Sequence, residues 1–214
     1  MKLDAAPTDY TISHLPRPTA TVRNRGGGTC IIHRKSIAVK QQSLHYRSFE
    51  CQLVSVKMSG RSAASTETFS LAVIYRPPSS SLTAFYDELS DLLTQAGTDI
   101  DADKFVLCGD VNCPSSVASQ DVSSDLLSLL DTHGLRQFVS TATRRTSTSS
   151  SLLDVVIASR TTHRLQQLAV QPTHDVSDHD LVTWQFSVKC RPPRQFLTFC
   201  FRNLKAVSNR RRTV

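Results

Sequence analysis

The sequence predicts an α+β sandwich, with stacked β-sheets and helices outside, and three observations predict it. Short apolar or alternating runs recur along the chain, only two segments carry a convincing helical stripe, and Gly, Pro and Ser gather between the runs. The 214 residues suit one domain of ordinary size, and no internal repeat is present. Hydrophobic residues make up 39% and charged residues 20%, which excludes a fully disordered chain. No apolar run approaches the ~18 to 20 residues of a bilayer span, so no membrane is expected as a partner.

Taken in order, residues 1–25 are polar, hold Pro7, Pro16 and Pro18, and read as a loop or an edge strand. Gly26-Gly27-Gly28 is a turn into Thr29–His33, a β-branched run suited to a central strand. No Gly-Lys-Ser/Thr follows the glycines at the spacing of a phosphate-binding loop. Phe49–Val56 and Phe69–Tyr75 read as adjacent strands joined by an exposed loop over 57–68. Leu82, Phe85, Leu89, Leu92 and Leu93 share one face of a helix ending near Gly97. Lys104–Gly109 is a buried strand that delivers Asp110-Val111-Asn112 at its carboxyl end. Leu126, Leu127, Leu129 and Leu130 stripe a second helix, with Gly134 as its C-terminal cap. Residues 141–151 are low in complexity and predict a mobile loop or hairpin tip that adds little core. Leu152–Ala158, Leu165–Val170 and Leu181–Val188 complete the strands.

Three polar motifs fall at strand ends: Gly109-Asp110-Val111-Asn112, Asp154 within Leu-Leu-Asp-Val-Val-Ile, and Ser177-Asp178-His179. An unpaired carboxylate in such an apolar run forfeits its hydration, so Asp154 needs a donor. If His179 is that donor, the pair is an imidazole oriented by a carboxylate, an arrangement suited to acid-base and phosphate chemistry. Asp110 and Asn112, two apart in an extended segment, would face one side and hold a water and a phosphate oxygen together. Asp178 would ligate a hard cation. Zinc is not expected, since Cys108 and Cys113 merely flank the Asp110 turn. Taken singly, each motif has a plainer reading: Gly-Asp-Val-Asn fits a tight turn, Ser-Asp-His-Asp a loop cap, and Asp154 a structural salt bridge.

Tyr75-Arg76-Pro77-Pro78, Gly109-Asp110-Val111-Asn112, Leu153-Asp154 and Ser177-Asp178-His179, in that order, resemble the endonuclease/exonuclease/phosphatase superfamily. Within it, the chain is similar to the endonuclease domain of non-LTR (LINE-type) retrotransposons, with Arg25–Ile31, Phe49-Glu50-Cys51 and Phe201–Lys205 as framework matches. The resemblance implies a four-layer sandwich of two mixed β-sheets flanked by helices. It also implies Mg2+- (or Mn2+-) dependent phosphodiester cleavage of DNA. Asp110 would activate water, Asn112 would position it, and His179, oriented by Asp154, would bond the phosphoryl oxygens. Tyr75 would contact the phosphate, and Asp178, Asp110 and Asn112 would serve the metal. Thr143, Arg144 and Arg145 would meet DNA. Family members open with a strand bearing an asparagine and a second ending in a metal-binding glutamate. Neither motif stands here, so the expectation is a sheet missing its N-terminal strand or strands, with activity impaired. A reverse transcriptase domain is the partner expected in an intact element.

Lys plus Arg is 25 against 18 for Asp plus Glu, a net +7 that favours a polyanionic partner. Much of the excess follows Arg191, so residues 1–190 are read as the domain and 191–214 as a basic tail or linker. The start lacks the apolar stretch of a secretory signal, which predicts an intracellular protein, nuclear or cytoplasmic, with thiols rather than disulfides. Two alternatives stand beside the nuclease: an inactive nucleic-acid-binding remnant of the same fold, and a phosphatase of the same superfamily.

Overall fold

The structure, a computed structural model, describes residues 7–17, 28–42, 44–59, 66–113, 122–173 and 177–188, Ser59 and Asp99 by their backbone alone. Its strands are β1 (Tyr10–Leu15), β2 (Thr29–Arg34), β3 (Ala38–Gln42), β4 (Glu50–Ser59), β5 (Thr66–Tyr75), β6 (Phe105–Asp110), β7 (Leu135–Gln137), β8 (Arg144–Arg145), β9 (Ser150–Ser151), β10 (Asp154–Ser159), β11 (Leu165–Gln171) and β12 (Leu181–Phe186). The helices are α1 (Leu82–Asp99) and α2 (Ser124–Thr132).

Six strands form one mixed sheet in the order β3-β4-β5-β6-β10-β7. All its neighbours are antiparallel except β5 and β6, which run parallel because α1 carries the chain back between them. Side chains alternate between the two faces of a strand, and this parity sorts the core. Leu53 and Ser70 share one face, where Leu92 and Ala96 of α1 line a cavity with them. Gln52 and Phe69 share the other face. There Gln52 donates to the Ser13 hydroxyl of β1 at 2.8 Å, and Phe69 meets the Phe186 ring of β12 at 5.2 Å. Helices thus cover one face, while two separate antiparallel hairpins, β1–β2 and β11–β12, cover the other. This is the expected α+β sandwich, in which the described residues supply the second sheet layer as two hairpins rather than one continuous sheet.

Local chemistry starts both helices. The Ser81 hydroxyl accepts from the Ala84 N–H and the Ser123 hydroxyl from the Leu126 N–H, each satisfying an otherwise orphaned donor. Phe85, Leu89, Leu92 and Leu93 of α1 are then buried, each by about 1.5–3 kcal/mol of transfer free energy. The helix ends near Gly97 as expected, at Asp99, with Ala96 and Ile100 packed on the core. In α2 only Leu126 and Leu130 are buried; Leu127 lies on the outer side, 45% exposed.

Three other expectations change. Among the described residues Thr29–His33 pairs with one strand rather than two, and Ile32 is 56% exposed, so there this run is an edge rather than a central strand. The 57–68 loop is shorter than expected, since β4 and β5 stay paired out to Ser59 and Thr66. Residues 141–151 take the hairpin alternative, β8–β9, but where little core was expected the root of the hairpin buries Ala142 and Thr143. The basic tail, Gly26-Gly27 and the 201–205 segment lie outside the described residues.

Candidate active site

The pairing of four adjacent strands lays a polar row across the hairpin face. Glu50 pairs with Tyr75, Tyr75 with Asp110, and Asp110 with Asp154. Each stands at one end of its strand, so the row runs along the rim of the sheet. Asp154 opens β10 rather than lying inside an apolar strand. Glu50 and its partner Arg17 were not foreseen. The Glu50 carboxylate accepts from the Arg17 guanidinium and, at 2.7 Å, from the Gly28 N–H, while the guanidinium carbon lies 5.7 Å from the centre of the Tyr75 ring.

After Asp110 the chain turns sharply, with positive φ at Gly109 (137°) and Asn112 (46°). The extended geometry expected for Asp110 and Asn112 therefore stops at Asp110. Asn112 is left-handed, a conformation that asparagine tolerates better than most residues. Its backbone N–H donates to the Asp110 carboxylate at 3.0 Å, and its side-chain amide donates to the Arg76 carbonyl at 2.8 Å.

Asp154 and His179 meet as the desolvation argument requires, with imidazole Nδ1 2.8 Å from the carboxylate. With Asp110 they form a half-buried trio, one donor atom from each lying within 4.8 Å of the others. Burial pushes the Asp110 carboxyl up to about 6, and the nearby Asp154 charge adds to the rise. Among the described residues, no lysine or arginine forms an ion pair with Asp110 or Asp154. Two carboxylates and an imidazole converging without a lysine or arginine partner are a donor set that a hard divalent cation fits.

Asp178 is not part of this trio. Its exposed carboxylate accepts from Arg144 Nε at 2.8 Å, and that guanidinium holds its pKa below the ordinary range. The expected metal ligand is a counter-ion to the hairpin. Arg145 is likewise paired, with Asp180 at 2.9 Å, and both arginines remain partly exposed. Thr143 needs a larger correction, because it is fully buried and cannot touch DNA. Its hydroxyl accepts from the Leu153 N–H at 3.1 Å and the Asp154 N–H at 2.9 Å, while its carbonyl accepts from Asp180. Thr143 thus joins the Asp154 strand to the His179 loop. Replacing it by valine preserves shape but strands two donors, so Thr143→Val is expected to lose about 2 kcal/mol of stability. An unchanged urea midpoint would show that the hydroxyl is not the clamp.

Residues 69–183 match the model of the endonuclease-reverse transcriptase family, and no curated protein matches the chain. Among solved structures, the fold is similar to the endonuclease domain of TRAS1, a telomere-specific non-LTR retrotransposon, at TM-score 0.60 and 14% identity over 85% of this chain and 81% of that one. It is also similar to the AP endonuclease LMAP of Leishmania major (TM-score 0.55, 14% identity, 85% and 72% covered). A third likeness is to the mannosyl-6-phosphatase Bt3783 of Bacteroides thetaiotaomicron (TM-score 0.53, 11% identity, 85% and 78% covered). At these identities the structures share the fold of nucleases and phosphatases alike. The matched residues begin on β5 and take in Tyr75, Asp110, Asp154 and His179 before ending on β12, and by that match the chain belongs to the endonuclease-reverse transcriptase family.

Proposed function

We propose that this chain hydrolyses phosphodiester bonds in DNA with the help of a divalent cation, Mg2+ or Mn2+. The observation that carries the reading is the convergence of Asp110, Asp154 and His179, with Asp154 on His179 Nδ1. A cation held by Asp110 and Asp154 would offset charge on the phosphoryl group. With Nδ1–H given to Asp154, Nε2 is the imidazole nitrogen left for the phosphate, and the carboxylate steadies the imidazolium that donates there. Asp110 also stands where it would orient the attacking water and accept its proton. Asn112 orients Asp110 through its backbone N–H. Tyr75 stands beside Asp110 at the rim, where a phosphate would lie. Arg144 and Arg145 trade their carboxylate partners for DNA phosphates on binding, and the basic residues after Arg191 add a salt-sensitive attraction. In an intact element the partner is a reverse transcriptase. No helix among the described residues is long and apolar enough to cross a membrane.

Nicking of supercoiled plasmid tests the reading. Cleavage should require Mg2+, stop in EDTA and fall about 10²- to 10⁴-fold in His179→Ala. Nicking that survives His179→Ala would sink it, and hydrolysis of small phosphate monoesters without nicking would move the assignment to a phosphatase.

A further inference from the structure

Resting on the hydrolase reading above, we propose that Arg76 is a positioning residue: one side chain, buried behind the Asp110–Asn112 turn, sets the direction in which both site residues point. Arg76 is 3% exposed. It binds three successive carbonyls of the turn. Its backbone N–H donates to the Asp110 carbonyl at 2.9 Å, Nε to the Val111 carbonyl at 2.7 Å and Nη2 to the Asn112 carbonyl at 2.5 Å. Its own carbonyl accepts the Asn112 side-chain amide. The remaining guanidinium nitrogen reaches the Ser80 carbonyl and hydroxyl at 2.7 and 3.2 Å, and the charge rests 5.7 Å from the centre of the Phe85 ring.

All these acceptors are neutral. Among the described residues no carboxylate forms an ion pair with Arg76; a guanidinium buried in that way is an expensive means of holding a turn, and a methionine would fill the space over Phe85 at no such cost. What the planar fork adds is direction: it fixes neighbouring peptide planes at once, which neither an apolar side chain nor the single ammonium of lysine can do. Fixing those planes keeps Asn112 in its left-handed conformation, and its N–H on the Asp110 carboxylate.

The test uses the full chain and readouts besides turnover: Mn2+ affinity by electron paramagnetic resonance, and amide hydrogen exchange residue by residue. R76K keeps the charge without the fork, and R76A removes both. Both variants are expected to bind Mn2+ about 10- to 100-fold more weakly, the usual cost of losing a group that orients a ligand. The Val111 and Asn112 amides should exchange at least about tenfold faster while Leu53 and Val54 on β4 keep their protection. Millimolar methylguanidinium should restore Mn2+ binding to R76A and leave R76K unchanged. If R76A does not fold, R76K decides; if the wild-type chain binds no Mn2+, exchange decides. Values for R76K within about twofold of wild type would overturn the proposal, as would protection lost throughout β4, which marks a residue that holds the fold. A wild-type chain that loses Mn2+ binding with R76K yet never nicks DNA leaves the positioning role standing and removes the nuclease reading.

Discussion

Asp110→Asn is expected to make the metal-free protein more stable at pH 7 while lowering metal-dependent hydrolysis by about 10³-fold or more. The carboxyl is pushed up to about 6 by burial and by Asp154, against about 3.9 in an unfolded chain. Between those two values the folded state binds more protons than the unfolded one, so stability falls as pH rises from about 4 to 6. At neutral pH the ionised carboxylate is therefore a standing cost. The full shift would correspond to about 3 kcal/mol, and partial exposure reduces this to about 1–2 kcal/mol. Asparagine never ionises, and its carbonyl oxygen still accepts the Asn112 N–H. Thermal unfolding should rise by about 2–6 °C at pH 7, with the gain gone near pH 4. A variant no more stable than wild type at pH 7 would mean that Asp110 is not held in an unfavourable charge state.

Gly109→Ala carries the largest expected loss of stability. Gly109 has φ of 137°, where only glycine sits without strain, and a Cβ there would overlap the Ile74 carbonyl oxygen. Ile74 is opposite Gly109 in the parallel β5–β6 ladder and is 1% exposed, so neither strand has room to retreat. Splitting the central pair of the sheet should cost about 4 kcal/mol, in the exceptional tail of single substitutions. Urea unfolding reads it, or loss of soluble protein. An alanine variant within about 1 kcal/mol of wild type would show that β6 bends freely before Asp110.

The parts of the site that were legible in the sequence are those that local chemistry dictates. Lys104–Gly109 reads as a buried strand because Phe105–Cys108 within it is an unbroken apolar run, and Asp154 demands a donor because its neighbours in sequence are apolar. Long-range register is not written in any window. Glu50 enters the rim row only because β4 pairs with β5 at Tyr75, and nothing local tells Asp178 that Arg144 will claim it. The resemblance implies a DNA contact for Thr143, yet its hydroxyl is buried as an acceptor for β10. Arg76 did leave a signal. Tyr75 points to the hairpin face, so the next residue falls on the helix face, where an arginine needs many acceptors. Ala38–Gln42 was missed because an exposed edge strand, AVKQQ, needs no apolar face, and Leu135–Gln137 because three residues show no period.

The scatter of the rim residues along the polypeptide has a consequence for biosynthesis. Tyr75 and Asp110 leave the ribosome well before Asp154, and His179 emerges later still, from the segment leading into β12. Only a fragment that runs from Tyr75 through His179 holds the whole set, so a nascent or proteolysed chain ending before residue 179 lacks the imidazole. On the proposed function, hydrolysis is thereby withheld until translation has passed His179.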